Sequence, residues 1–334
     1  MSHHHHHQPV GERVDVARVA SELSVPGRRF RVSTHRKPDG DAAGSMVGLT
    51  RILRALGHDA IMWHVEGPGL PDHLAWLLAP GEEVHGGSVT DHAGRVLVAL
   101  DSATSHRMSD ADPHDLGSPI INIDHHHDNP AWGDVNLIDG AASSTAELVV
   151  RVADALGVPI DAEVAMPLYV GLVTDTGRFS YSSTGAAAHL AAARLVEAGV
   201  DPGAVYRRLY EGTPLGDLRL FGRAIGAARS ELDGRLVVAV ITRDDLAAAG
   251  GQDTDGVVEV LRGAAGAEVA AVIREVAEGE WRVSTRATGE VVDVSAIAAL
   301  EGGGGHRAAA GFTSHRDPDG IIALIRDAMV SQGA

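Results

Sequence analysis

The chain has 334 residues, 28 basic against 45 acidic side chains for a formal net charge of −17, and no cysteine. That length suggests two domains or one large one. Lack of cysteine excludes disulfides, thiolate metal sites and thiol nucleophiles, and the acidic balance excludes a broad basic surface gripping long nucleic acid, though not a short nucleotide in one locally positive pocket.

From the N-terminus, "MSHHHHHQPVG" reads as a purification-tag remnant, so residues 1–10 are set aside. "RFRVST" is strand-like and runs into "HRKPDGDAAG", which holds His35, Asp39 and Asp41. "DAAGSMVGLTRILRALG" has apolar residues at helical spacing and stops at Gly57. "DAIMWHV" is a further strand candidate. "RVLVALD" and "PIINIDHHH" are short continuous apolar runs of the kind buried parallel strands show. "SSTAELVVRVADALG" predicts a helix with a capping box from Ser144 to Glu147 and a terminal Gly157.

Alternating strands and helices predict an α/β fold, a doubly wound and mainly parallel sheet over residues 11–200. Residues 201–227, with Gly and Pro punctuation, read as a helical connector. Residues 228–334 read as a smaller α+β domain: "RLVVAVI", "AEVAAVIREV" and "WRVSTRA" are strand-like, "DGVVEVLRG" and "DGIIALIRDAMV" helical. No apolar run reaches the roughly 18 residues of a membrane span, so a cytoplasmic protein without membrane association is expected.

Four apolar segments end in aspartate or histidine: His35, Asp39 and Asp41 after "RFRVST"; Asp101 after "RVLVAL"; Asp124, His125 and His126 after "PIINI"; and Asp175 in "GLVTDTG". Open parallel sheets form their ligand sites outside the carboxyl ends of the strands, so these groups converge if the segments are neighbours. Several carboxylates in one crevice repel one another and lose solvation, and divalent cations relieve both costs. Oxygen and imidazole ligands without sulfur suit two Mn²⁺ ions, with Mg²⁺ or Co²⁺ as alternatives, a pair that activates a bridging hydroxide for phosphoester hydrolysis. In the second domain, Gly303, Gly304 and Gly305 offer backbone amides to an anion, and His306, Arg307 and Arg286 offer donors to phosphate.

Taken together, these motifs resemble the DHH phosphoesterase superfamily, with Asp124-His125-His126 as the signature triplet and "GGGGHRAAAGF" similar to the associated DHHA1 domain. Motif wording is most similar to the bifunctional oligoribonuclease and pAp phosphatase group, which includes cyclic-dinucleotide phosphodiesterases. By motif position the resemblance implies one cation on His35, Asp39 and Asp101, and a second on Asp41, Asp101, His125 and Asp175, with Asp101 shared. It implies His126 as the group that contacts or protonates at the scissile phosphate, Asp124 as the residue orienting the histidines, and a homodimer. The expected substrates are pAp, linear or cyclic dinucleotides and oligoribonucleotides of a few residues, held in a cleft between the two domains. An inorganic pyrophosphatase or exopolyphosphatase is the rival enzymatic reading, and a non-catalytic cyclic-dinucleotide sensor the rival outside catalysis. The chain departs from the family pattern at Lys37, where asparagine is usual, and at Arg178, which precedes Phe179 where relatives place the basic residue after it.

Overall fold

Strand β4 (Arg95–Leu100) is buried at every residue, as is β5 (Ile120–Asp124), which is why both segments are apolar without alternation. They lie inside a six-stranded, all-parallel sheet with β1 (Arg29–Ser33), β2 (Asp59–Trp63), β3 (Val84–His85) and β6 (Val135–Ile138), in the order β3-β2-β1-β4-β5-β6. The winding direction reverses between β1 and β4, which makes that seam the switch point where such sheets bind ligands. The structure is a computed structural model and describes residues 15–87 and 94–334; the tag remnant at 1–10 lies outside them.

Among the described residues six helices accompany this sheet: α1 (Val16–Leu23), α2 (Gly40–Ala55), α3 (Thr145–Leu156), α4 (Ala162–Asp175), α5 (Ala186–Glu197) and α6 (Pro202–Tyr210). Phe30, Val32, Val96, Val98, Ile121 and Ile123 on one sheet face pack into a single core with them. Leu97, Ala99 and Ile120 on the other face meet Met108 and Trp132 instead. The second face is therefore covered by loops and short 3₁₀ turns, where a doubly wound sheet ordinarily carries helices.

A glycine ridge sets the distance between α2 and α4. A Cβ at Gly44 would lie 2.2 Å from the Pro167 carbonyl oxygen, and one at Gly48 would lie 2.5 Å from the Leu168 side chain. At Gly44 the two helices touch backbone to backbone, and at Gly48 the Leu168 side chain fills the room the glycine leaves. Pro167 lacks an N–H, which frees the Glu163 carbonyl one turn back, and Arg51 Nη1 donates to it at 2.5 Å. Gly44→Ala is expected to push α4 off α2 and to destabilise the fold by about 1–3 kcal/mol, the range for overpacking. Urea unfolding measures it, and an unchanged midpoint would show that the helices can separate freely.

The chain divides between Leu209 and Tyr210 into two units. The break falls inside the stretch read as a connector, at the end of α6 (Pro202–Tyr210). The following helix α7 (Leu215–Gly226) is no linker, because Leu220 and Ala224 are buried in a core of the second unit. That unit is a six-stranded mixed sheet of β7 (Arg229–Glu231), β8 (Leu236–Ile241), β9 (Val269–Ala277), β10 (Glu280–Ala287), β11 (Gly304–His306) and β12 (Ala309–Ser314), ordered β11-β12-β10-β9-β8-β7.

Helices α10 (Val294–Ala299) and α11 (Pro318–Ser331) cover one face of it. On the other, α7, α8 (Arg243–Ala249) and α9 (Val257–Arg262) pack on Ala239, Ile241, Ala270 and Val272 of β8 and β9. No residue of β10, β11 or β12 joins that second core. Among the described residues no helix is long and apolar enough to cross a membrane.

Candidate metal centre

Each group of the site is held by local structure at the carboxyl edge of the first sheet. Asp39 caps α2, accepting from the Ala42 amide at 2.9 Å. That cap starts the helix one residue on, so Asp41 sits in its first turn and only 1% exposed. Asp101 follows β4 with φ 55°, a left-handed backbone that non-glycine residues adopt rarely and at cost. The turn ends the strand sharply and leaves the Asp101 carboxylate 2% exposed beside two imidazoles. Asp175 is the last residue of α4, so it arrives from a helix end and not from a strand end, as the other three motifs do.

These residues gather into overlapping donor sets. His35, Asp39 and Asp101 each present a ligand atom within 4.8 Å of the others, as do Asp41, His125 and Asp175. A third set joins Asp101 to Asp124, His125 and His126. His125 Nε2 lies 3.1 Å from Asp175, 3.3 Å from Asp101 and 3.6 Å from Asp41. His35 Nε2 lies 3.3 Å from Asp101 and 3.8 Å from Asp39, while its Nδ1 donates to the Arg36 carbonyl at 2.6 Å. An imidazole that gives one nitrogen's proton to a backbone carbonyl and turns the other toward carboxylates is built as a metal ligand usually is.

The electrostatics point the same way. Burial, then the charges of Asp101 and Asp175, push Asp41 well above the usual carboxylate range. The Thr145 and Ala146 amides at the start of α3 donate to it at 2.9 and 3.0 Å, which offsets part of that cost. Burial also raises Asp175, to about 7. Burial opposes ionisation of Asp101, but hydrogen bonds with His125 and His35 overcome it and hold the carboxyl below its ordinary value. His125 is opposed by burial too, yet Asp101, Asp41 and Asp175 drive it up to about 10. Three crowded carboxylates borrow protons and imidazolium charge to coexist. Divalent cations remove that need, so the donor set fits them.

Asp124 is 0% exposed and lies behind the cluster. Its Oδ1 accepts from the His125 amide at 2.9 Å and from His126 Nδ1 at 2.6 Å, and Asn129 Nδ2 donates to its Oδ2 at 2.7 Å. The hydrogen bond to Asp124, first, and then its charge raise His126 above the ordinary histidine value against some burial.

Sequence reasoning missed Thr145, whose hydroxyl donates to Asp101 at 3.1 Å, and the Asn122–Asn129 pair that fixes Asp124. The "SST" before α3 was legible only as a helix cap, a role Ser144 does fill by accepting from the Glu147 amide. Asn122 inside an otherwise apolar strand was the available signal for a buried polar network.

In the second unit the expected phosphate residues occupy β11 and its neighbours. Cross-strand partners share a face, so the pairs Gly304–Gly311, His306–Ala309, Gly311–Ser284 and Ala309–Arg286 put His306, Ser284 and Arg286 on one side of the sheet. Gly303 and Gly305 answer to packing: added Cβ atoms would meet carbonyl oxygens of Gly311 and Ala309 at 2.3 and 2.5 Å. Gly304 alone is open, which narrows the glycine cradle to one residue.

Arg307 Nη2 donates to the Glu290 carbonyl, and Arg286 Nε donates to Glu259 at 2.7 Å. Two arginines that the sequence did not single out, Arg274 and Arg282, join Arg286, Thr254 and Ser284 around a pocket of about 310 Å³. Arg282 makes no ion pair among the described residues, and Arg274 Nε is buried without a hydrogen-bond partner.

The family models agree with this geometry. Residues 29–172 match the DHH family, N-terminal domain, and residues 233–330 match the DHHA1 domain. The bifunctional oligoribonuclease and PAP phosphatase NrnA of Thermus thermophilus is 37% identical over 88% of this chain and 87% of its own. The protein of that name from Bacillus subtilis is 28% identical over 86% and 91%. Among solved structures, an exopolyphosphatase-related protein from Bacteroides fragilis superposes with a TM-score of 0.80 at 22% identity, covering 95% of this chain and 96% of that one. With both halves matched and the ligand motifs gathered at one sheet edge, the chain belongs to the DHH family and carries a DHHA1 domain C-terminal to its DHH domain in sequence.

Proposed function

We propose that this hydrolase releases 5′-mononucleotides from RNA fragments a few residues long and from linear dinucleotides, converts pAp to AMP, and opens cyclic dinucleotides such as cyclic di-AMP, using two Mn²⁺ ions. The observation that carries the reading is the pair of donor sets meeting around Asp101 and His125. The Thermus relative, named for oligoribonuclease and PAP phosphatase activity and 37% identical over most of both chains, supports the substrate class. Bound there, two divalent cations supply Lewis acidity toward a phosphoryl oxygen and acidify a water to hydroxide at neutral pH.

The protein's own residues do the rest. His35, Asp39 and Asp101 hold one cation, and Asp41, Asp101, His125 and Asp175 the other. The α3 amides and the Thr145 hydroxyl fix the carboxylates of Asp41 and Asp101 in place. Asp124 keeps the proton on His126 Nδ1, and the imidazolium that its charge favours is the acid for the leaving oxygen. The arginine face of the DHHA1 domain holds a substrate phosphate, a localised basic site on an otherwise acidic chain.

The test is a substrate panel of pAp, a linear dinucleotide, cyclic di-AMP, pyrophosphate and a long RNA, run with Mn²⁺ and with chelator. Short nucleotides should outpace the long RNA, and chelator should silence all of them; pyrophosphate turning over fastest would return the assignment to a pyrophosphatase. A second expectation concerns the acid. Asp124→Asn removes the main cause of the raised His126 value, so the alkaline limb of the pH–rate profile should move down toward pH 6.5 while kcat falls about 10²-fold or more. An unmoved limb would assign the acid elsewhere.

A further inference from the structure

We propose that the pocket bordering Asp39 is a ribonucleoside subsite, in which Glu66 accepts a hydrogen bond from a ribose hydroxyl. This rests on reading the enzyme as a nucleotide phosphoesterase and names which part of the substrate the first domain recognises. The pocket measures about 550 Å³, within the range of small-ligand sites. It lies between the loop that follows β1 and the segment that follows β2, adjacent strands in the sheet, so it opens beside the switch-point seam. Asp39 belongs both to its wall and to a metal donor set. Whatever fills it is therefore the portion of substrate attached to the reacting phosphate.

The lining selects the chemistry of that portion. Pro68, Leu70 and Pro71 form an apolar wall suited to the flat face of a base or the carbon side of a sugar. Two carboxylates, Glu66 and Asp39, line the pocket beside one lysine, Lys37, and the carboxylates themselves repel a phosphate. What they accept is an uncharged donor, and a nucleoside's donors are its hydroxyls and amino groups.

Glu66 is anchored for this task. Its Oε1 takes the backbone N–H of Lys37, a residue held at φ 48°, and its Oε2 has no partner among the described residues. Carboxylates fixed beside a nucleotide commonly take the ribose 2′-hydroxyl. Lys37, the chain's one lysine and its departure from the family's asparagine, has no carboxylate partner among the described residues; its ammonium is available to the phosphate on that same sugar. His64 stiffens the floor, 2% exposed with Nε2 donating to the Gly69 carbonyl at 2.8 Å.

The experiment is calorimetric titration of the full-length protein in Mn²⁺ with AMP and with 2′-deoxy-AMP, for wild type, Glu66→Ala and Glu66→Gln. Wild type should bind the ribonucleotide about tenfold more tightly, the effect of one hydrogen bond to a charged acceptor. Glu66→Ala should abolish that preference by weakening AMP alone, and Glu66→Gln, whose one carbonyl oxygen keeps the Lys37 amide while its NH2 can still donate to the sugar hydroxyl, should retain part of it. Equal affinities in wild type, or a preference that survives Glu66→Ala, overturns the subsite. Binding is read apart from turnover: a preference abolished by Glu66→Ala together with no cleavage of pAp or dinucleotides would support the subsite and defeat the activity reading.

Discussion

Asp101→Asn is expected to lower metal-dependent hydrolysis by about 10³-fold or more and to cut the number of Mn²⁺ ions bound at equilibrium. Loss of one preorganised charge-stabilising group at a reacting centre commonly costs 10²–10³-fold, and Asp101 serves two donor sets at once. Asparagine preserves shape and the bond from Thr145, so the variant should fold. It removes the charge that His35 and His125 face at 3.3 Å each. Equilibrium dialysis with metal analysis separates this from a general weakening: Asp41→Ala and Asp175→Ala should each impair the His125 set while leaving His35, Asp39 and Asp101 intact. Full metal occupancy and near-native turnover in Asp101→Asn would dismantle the two-cation assignment.

The second large effect is in stability against pH, with and without metal. Asp175 keeps its proton in the metal-free fold up to about pH 7, whereas an unfolded aspartate loses it near pH 4. A raised value of this kind stabilises the fold at low pH, and the contribution is lost as pH climbs from about 4 through 7. His125, raised to about 10, adds stability that is complete below about pH 6.5 and is lost on the way up to 10. Asp41 acts with Asp175, and Asp101, lowered, loses its contribution only in strong acid.

The chelated protein should therefore melt at progressively lower temperature between pH 5 and 9. Cations displace those protons, so the gain from Mn²⁺ should grow over the same interval. At a free concentration of about 100 Kd the gain is about 2.7 kcal/mol, or on the order of 5–10 °C for a unit this size. Scanning calorimetry at pH 6 and pH 9, in chelator and in Mn²⁺, checks both slopes. A metal-induced gain that is equal at the two pH values would mean that these groups do not bind the cations.

The expected outcomes for Gly44 and for metal binding bear on each other, because the glycine ridge brings Asp175 to the cluster. Asp41 lies in the first turn of α2 and Asp175 ends α4, and the two helices approach closely where Gly40, Gly44 and Gly48 leave room. Gly171 closes the same contact, since a Cβ there would lie 3.0 Å from Asp41 Oδ1. Stability of the helix pair and geometry of the metal centre are one property in this fold.

Sequence by itself determined the α/β class and the central strands, and it singled out His35, Asp39, Asp41, Asp101, His125 and Asp175, which fall in the donor sets the structure gathers, because apolar runs ending in aspartate or histidine carry their meaning locally. It also determined α3 with its Ser144 cap and its left-handed Gly157 stop. It could not show that Asp175 comes from a helix, since a buried helix and a buried strand present the same unbroken apolar run. Strands β11 and β12 were invisible because glycine and alanine carry no β signal, and pairing alone makes "GGH" and "AAGFTS" strands. Which polar groups brace Asp41, Asp101 and Asp124, how Arg274 and Arg282 reach Arg286, and how Glu66 comes to face Asp39 were decided only by tertiary structure. Residues distant in the chain make those contacts, and local pattern holds no record of distance in space.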